Sequence, residues 1–134
     1  MIEKIDHIGI AVPSIEEAAK FYLALGLTIE GVEEVSSEGV RVAMLRCGES
    51  RIELLEATSE DSPIARFLDR RGGGIHHICL ATTDVRDDQQ RLATQGYELL
   101  RPAPTQGAGG CWVQFVHPRS TGGVLVELAE KSSC

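Results

Sequence analysis

Two histidines and two glutamates carry the chemistry that this sequence can do. A displacement of 70 residues sets Asp6-His7-Ile8-Gly9-Ile10-Ala11-Val12 on His76-His77-Ile78-Cys79-Leu80-Ala81-Thr82. A displacement of 74 sets Ile52-Glu53-Leu54 on Val126-Glu127-Leu128. Imidazole nitrogens and carboxylate oxygens together suit a borderline divalent ion, and a His2Glu2 set leaves coordination positions open for water or substrate. A lone strand histidine is ordinarily a hydrogen-bonded core residue, and a strand glutamate ordinarily faces solvent. Here both recur in register. Glu127 also stands in the apolar run Val124-Leu125-Val126-Glu127-Leu128, where a buried carboxylate without a partner is costly and a cation would supply one. His76 is the competing ligand, but the repeat sets it on Asp6, and neighbours in a strand face opposite sides. His77 is therefore the equivalent of His7. His117, before Pro118, has no counterpart and reads as structural.

These four residues need elements to present them. Each half of the chain opens with an apolar, β-branched run, residues 5–12 and 75–82, that predicts a buried strand. Ser14 with Glu17 forms a capping box behind Pro13, and Asp84 with Asp87 is its weaker equivalent, so a helix follows in each half. Ala18, Phe21, Tyr22 and Leu25 predict the buried stripe of the first helix, and Gly26 and Gly96 are stops. Three strands are expected after each helix, near 28–35, 40–47 and 51–56, and near 97–101, 111–117 and 124–130. Ser62, Pro63 and Gly72 frame a linking helix at about 62–71. The predicted fold is α+β: a single domain over 1–134 built from two βαβββ modules, about 1–58 and 74–131. If the modules pack by pseudo-twofold symmetry, His7, Glu53, His77 and Glu127 converge on one metal site.

Composition narrows the function further. The 134 residues are 43% hydrophobic and 25% charged, a globular balance rather than a disordered one. Thirteen Lys and Arg against twenty Asp and Glu give a net charge of −7, which argues against nucleic acid and anionic membrane surfaces as partners. No apolar run approaches the ~20 residues needed to span a bilayer. Met1-Ile2-Glu3-Lys4 lacks a signal pattern, so the expected compartment is the cytoplasm. Cys47, Cys79, Cys111 and Cys134 form no Cys-x-x-Cys pair and are expected as core residues or surface thiols. Gly107, Gly109 and Gly110 lack the strand and helix context of a phosphate-binding fingerprint.

The paired modules, each with a histidine and a glutamate, resemble the vicinal oxygen chelate superfamily, which includes glyoxalase I, extradiol dioxygenases and bleomycin-resistance proteins. Within it the chain is most similar to the methylmalonyl-CoA epimerase family. Asp6-His7-Ile8-Gly9-Ile10-Ala11-Val12, Ile52-Glu53-Leu54-Leu55-Glu56 and Gly74-Ile75-His76-His77-Ile78-Cys79 carry the broader likeness. Asp61-Ser62-Pro63-Ile64-Ala65-Arg66-Phe67-Leu68 and the run from His117-Pro118-Arg119 through Gly122-Gly123-Val124-Leu125-Val126-Glu127-Leu128 are more specific to the epimerases. The match covers nearly the whole chain.

The resemblance implies a half-barrel sheet around a metal site with His7, Glu53, His77 and Glu127 as ligands. It implies a divalent ion, Co2+ first and Mn2+, Zn2+ or Ni2+ as alternatives, and a homodimer acting on an acyl-CoA. The implied reaction interconverts (2R)- and (2S)-methylmalonyl-CoA by removing and returning the C2 proton. Inversion needs an acceptor on one face of a planar enolate and a donor on the other. Glu127 is the first candidate. The family pattern places the second glutamate two residues ahead of Gly39, where this chain has Ser37; Glu38 follows one residue later. A one-residue slip reverses the face of a strand, and Gly39 could restore the aim through a bulge or turn. Glu38 is thus the second base or a solvated loop carboxylate, with Glu34 and Glu33 as neighbouring alternatives. Arg66, Arg70, Arg71 and Arg119 are the local cations available to coenzyme A phosphates. A glyoxalase-I-like lactoylglutathione lyase would use the same ligands. An extradiol dioxygenase would need iron, and a bleomycin-resistance-type binder would need no intact metal set.

Overall fold

The computed structural model describes residues 1–134 as two compact units, one formed by His7–His76 and the other by Met1–Asp6 with His77–Cys134. Strand β1 (Ile2–Ala11) contributes to both by chain continuity. No helix is long and apolar enough to cross a membrane.

The unit His7–His76 holds the end of β1, helix α1 (Ile15–Ala24), strands β2 (Ile29–Val35), β3 (Val40–Cys47) and β4 (Ser50–Ala57), and helix α2 (Pro63–Arg71). Its strand order is β2-β3-β4-β1, with β1 and β4 parallel and the other neighbours antiparallel. Period-two alternation divides the core. Ala11, Val40, Val42 and Leu55 face Ile64 and Phe67 of α2, whereas Ala43, Leu45 and Leu54 face Ile15 and Ala19 of α1. The sheet is therefore covered by a helix on each side.

The helix ends follow the expected chemistry. Ser14 Oγ accepts from Glu17 N at 3.3 Å and Ser62 Oγ from Ala65 N at 3.0 Å. Gly72 closes α2 in the left-handed region at φ 76°. The predicted stripe of α1 is out of phase. Phe21 is 63% and Leu25 62% exposed, while Ile15 and Ala19 are buried with Ala18 and Tyr22 beside them. The buried stripe is Ile15, Ala18, Ala19 and Tyr22, which has the same i, i+3, i+4, i+7 spacing as the predicted one.

The other unit repeats the plan with β5 (Gly74–Thr82, in this unit from His77), α3 (Val85–Thr94), β6 (Thr105–Gln106), β7 (Trp112–Val116) and β8 (Val126–Glu130). The order is β5-β8-β7-β6, again with the first and last strands of the module parallel. Gly9 pairs with Glu53 across β1 and β4, and Cys79 pairs with Glu127 across β5 and β8. Both displacements of the sequence repeat are thereby present as strand register. A further equivalence joins last strand to helix. Glu56 Oε1 accepts from Ile15 N at 2.8 Å, and Glu130 Oε1 accepts from Val85 N at 3.0 Å, so each module caps its helix with the glutamate that closes its last strand.

Two expectations fail in this unit. Residues 97–101 form no full strand: Leu99 makes an isolated bridge to Val116, with Leu100 N donating to Phe115 O at 2.9 Å. Pro102 and Pro104 lack the amide needed to extend that pairing, and the edge resumes only at Thr105–Gln106. Cys111 and Cys134 are not thiols but a disulfide. The 3-10 turn Lys131–Ser133 folds the chain end back, and Ser133 Oγ accepts from Trp112 N at 2.9 Å, setting Cys134 beside Cys111. Cys47 and Cys79 are free, exposed and buried respectively.

Candidate active site

Each module presents one buried histidine–glutamate pair. In the unit His7–His76, His7 Nδ1 lies 3.3 Å from Glu53 Oε2. His7 stands opposite Arg51 in the β1–β4 ladder, and Glu53 stands opposite Gly9 two positions on. Alternation then sets His7 and Glu53 on the sheet face that Ala11 and Leu55 present to α2. In the unit containing His77–Cys134, His77 Nε2 lies 3.1 Å from Glu127 Oε1. Glu127 is flanked by Cys79 on β5 and Phe115 on β7. The His77 ring meets Phe115 edge-on at 6.3 Å. The loop before β7 passes over this carboxylate: a methyl on Gly107 would touch Val113 at 3.2 Å and come within 3.9 Å of Glu127 Oε2.

All four side chains are buried, with between 4% and 9% of their residues' surface exposed. A carboxylate and an imidazole nitrogen this close, away from water, need positive charge between them. A shared proton supplies it, and so does a cation bound by both atoms, so the donors fit a divalent ion by charge and by softness. The two pairs differ in one respect. Glu53 Oε2 also accepts from Arg51 Nη2 at 3.0 Å and Nε at 3.3 Å. Sequence reading missed Arg51, although its position two residues before Glu53 puts it on the same strand face.

The second-base candidates divide by geometry. Glu38 ends a 3-10 turn, Ser36–Glu38, between β2 and β3, and is half-buried. Gly39 follows in the left-handed region at φ 64°. A Cβ there would lie 2.7 Å from Ser59 Oγ and 2.8 Å from Ser62 Cβ, so only glycine fits. Gly39 O accepts from Thr58 N at 2.8 Å, holding the turn to the end of β4. The slip from Ser37 to Glu38 therefore falls in a turn and not in a regular strand. Glu33, opposite Val42, shares the α2-facing side of the sheet; Glu34, opposite Arg41, is exposed on the other side.

His117 is structural, its Nδ1 accepting from Arg119 N at 3.0 Å. His76 packs edge-on against Phe67 at 5.1 Å. Arg119 is engaged by Glu98 at 3.0 Å, and Arg71 lies over the Phe67 ring at 5.7 Å.

Comparison with known proteins places the chain. The model of the glyoxalase/bleomycin resistance protein/dioxygenase superfamily matches residues 6–115. An ethylmalonyl-CoA/methylmalonyl-CoA epimerase of Cereibacter sphaeroides is 39% identical over 133 residues, covering 97% of this chain and 99% of that protein. The crystal structure of methylmalonyl-CoA epimerase from Mycobacterium tuberculosis has 34% identity and a TM-score of 0.92, covering 96% of this chain and 88% of that one. A Streptomyces coelicolor methylmalonyl-CoA epimerase variant in complex with 2-nitronate-propionyl-CoA has 36% identity and a TM-score of 0.93, covering 97% and 95%. The α+β fold of two βαβββ modules is that of the glyoxalase/bleomycin resistance protein/dioxygenase superfamily, to which this chain belongs together with the methylmalonyl-CoA epimerases.

Proposed function

We propose that this protein is a metal-dependent epimerase that interconverts the (2R) and (2S) forms of methylmalonyl-CoA. The observation that carries the reading is the buried histidine–glutamate pair repeated in both modules, in a chain similar over its length to epimerases of that substrate class. On this reading the two units act as one domain, and His7, Glu53, His77 and Glu127 together hold one ion. The same reading makes the ion Co2+ ahead of Mn2+, Zn2+ or Ni2+, the working form a homodimer and the compartment the cytoplasm.

The C2 proton of the substrate lies between a thioester and a carboxylate, so its removal leaves a delocalised, planar enolate. When bound, a divalent ion supplies Lewis-acid stabilisation to negative charge developing on the thioester oxygen. Glu127 takes or returns the proton on one face, with the apolar Phe115 and Val113 beside it and the Gly107 loop over it limiting water. Glu38 serves the other face from a turn that Gly39 anchors to the start of α2. The relative from Streptomyces coelicolor is in complex with 2-nitronate-propionyl-CoA; a nitronate is planar at its carbon with the negative charge on oxygen, as in an enolate, which supports an enolate as the species to be stabilised.

Incubating one pure epimer with the purified protein and Co2+ tests this directly. The epimer ratio should approach equality, and a chelator should stop the conversion. An unchanged ratio at high enzyme concentration would overturn the proposal.

A further inference from the structure

The chain is acidic, with a net charge of −7, and five of its ten arginines are tied to carboxylates. Arg41, Arg46, Arg51, Arg91 and Arg119 each have one within 3.3 Å. The arginines of helix α2 are not among them. Arg66 donates to the backbone carbonyl of Asp61 at 2.6 Å and has no carboxylate partner. Arg70 is exposed and makes neither a hydrogen bond nor an ion pair. The two stand four residues apart, one helical turn, and are exposed, with Arg70 three residues on from the buried Phe67. Like charges at that spacing repel, so helix stability does not favour them.

They line a cavity of about 360 Å³ with Pro63, Asp69 and His76. His76 comes from the first residues of β5, and its ring is set edge-on to Phe67 at 5.1 Å, which holds an imidazole in the same lining as the guanidiniums. Even with Asp69 in the lining the formal charge is positive. Two planar guanidinium forks and an imidazole donor around a space of this size suit tetrahedral phosphate oxygens, which accept several charge-assisted hydrogen bonds at once.

We propose that this cavity binds phosphate of a coenzyme A thioester, with Arg66, Arg70 and His76 as its recognition residues. The assignment of the phosphate to coenzyme A rests on the functional reading above. The reacting thioester itself carries no phosphate, so this site contributes to substrate capture and not to the chemical step.

Free coenzyme A is the probe, because its binding is read without turnover. Calorimetry should show the Arg66→Gln/Arg70→Gln protein binding it at least about tenfold more weakly than wild type, as loss of charge-assisted contacts requires. His76→Gln should weaken it less. In kinetics the double variant should raise KM for methylmalonyl-CoA with kcat within about twofold, and leave KM for the phosphate-free methylmalonyl-pantetheine thioester unchanged. Equal coenzyme A affinity in variant and wild type would overturn the site. Inorganic phosphate binding as tightly as coenzyme A would overturn the assignment to coenzyme A. If coenzyme A binds through these residues and methylmalonyl-CoA is not epimerised, the functional reading fails and the site stands. If epimerisation proceeds with an unaltered KM in the double variant, the site fails and the functional reading stands.

Discussion

Arg51 Nη2 donates to Glu53 Oε2 at 3.0 Å, on the same carboxylate oxygen that lies 3.3 Å from His7 Nδ1. Glu53 thus has a permanent cation beside it, and the pair in the second module, His77 with Glu127, is built without an arginine at the equivalent place: Leu125 stands two residues before Glu127 where Arg51 stands two residues before Glu53. The guanidinium compensates the Glu53 charge, and on the proposed reading it would lower the donor strength of that carboxylate toward an ion.

Arg51→Gln should therefore lower unfolding free energy in metal-free protein by about 1–3 kcal/mol, the cost of removing a charge-assisted partner from a buried carboxylate. Saturating divalent ion should recover most of that loss, because the ion replaces the missing positive charge. Denaturant unfolding with and without the ion measures both quantities. An equal loss in both conditions would show that Arg51 and the ion do not share Glu53.

His77→Ala should reduce metal content after purification and abolish epimerisation. It should also remove most of the thermal stabilisation that added metal gives, since an ion bound only by the folded chain stabilises it by mass action. Elemental analysis alongside thermal melts reads both. Unaltered metal content would exclude His77 as a ligand.

Glu38→Gln should leave metal content intact and reduce inversion by about 10²–10⁴, the usual worth of a positioned acid or base. Glu127 can still exchange the C2 proton of the epimer that presents it, so exchange without inversion should survive for one epimer only. Glu33 shares the α2-facing side of the sheet, and Glu33→Gln is the matched comparison, expected to stay near wild-type inversion. Were Glu33→Gln the slow variant and Glu38→Gln the fast one, the second base would be Glu33.

The Cys111–Cys134 bond closes a loop of 23 residues in sequence. Cys134→Ser should lower stability by about 2–4 kcal/mol, through chain entropy of the unfolded state. Thiol titration of the unreduced, unfolded wild-type protein should find only Cys47 and Cys79. Four reactive thiols would contradict the bond.

Much of this site was legible before any coordinate. The displacements of 70 and 74 already contain the register that sets Gly9 opposite Glu53 and Cys79 opposite Glu127, because a strand period of two transmits face from one position to the next. What escaped depends on distant parts of the chain. The stripes 15/18/19/22 and 18/21/22/25 of α1 have the same spacing, and only packing against Ala43, Leu45 and Leu54 picks the first and leaves Phe21 exposed. The helix caps by Glu56 and Glu130 join residues 41 and 45 apart in sequence. The disulfide needs the turn at 131–133 to fold back. The face of Glu33 is defined only once the β2–β3 register is known, including its irregularity at Ile29 and Gly31.

On the proposed mechanism, carboxylates of this chain remove and return the C2 proton of methylmalonyl-CoA from opposite faces. Mass spectrometry of the reaction in heavy water, started from each pure epimer, measures this. Every inverted molecule should carry one solvent deuterium at C2, and Glu127→Gln should lose this labelled inversion from both epimers. Inverted product that retains its original protium, or wild-type protein that neither exchanges nor inverts, would contradict it.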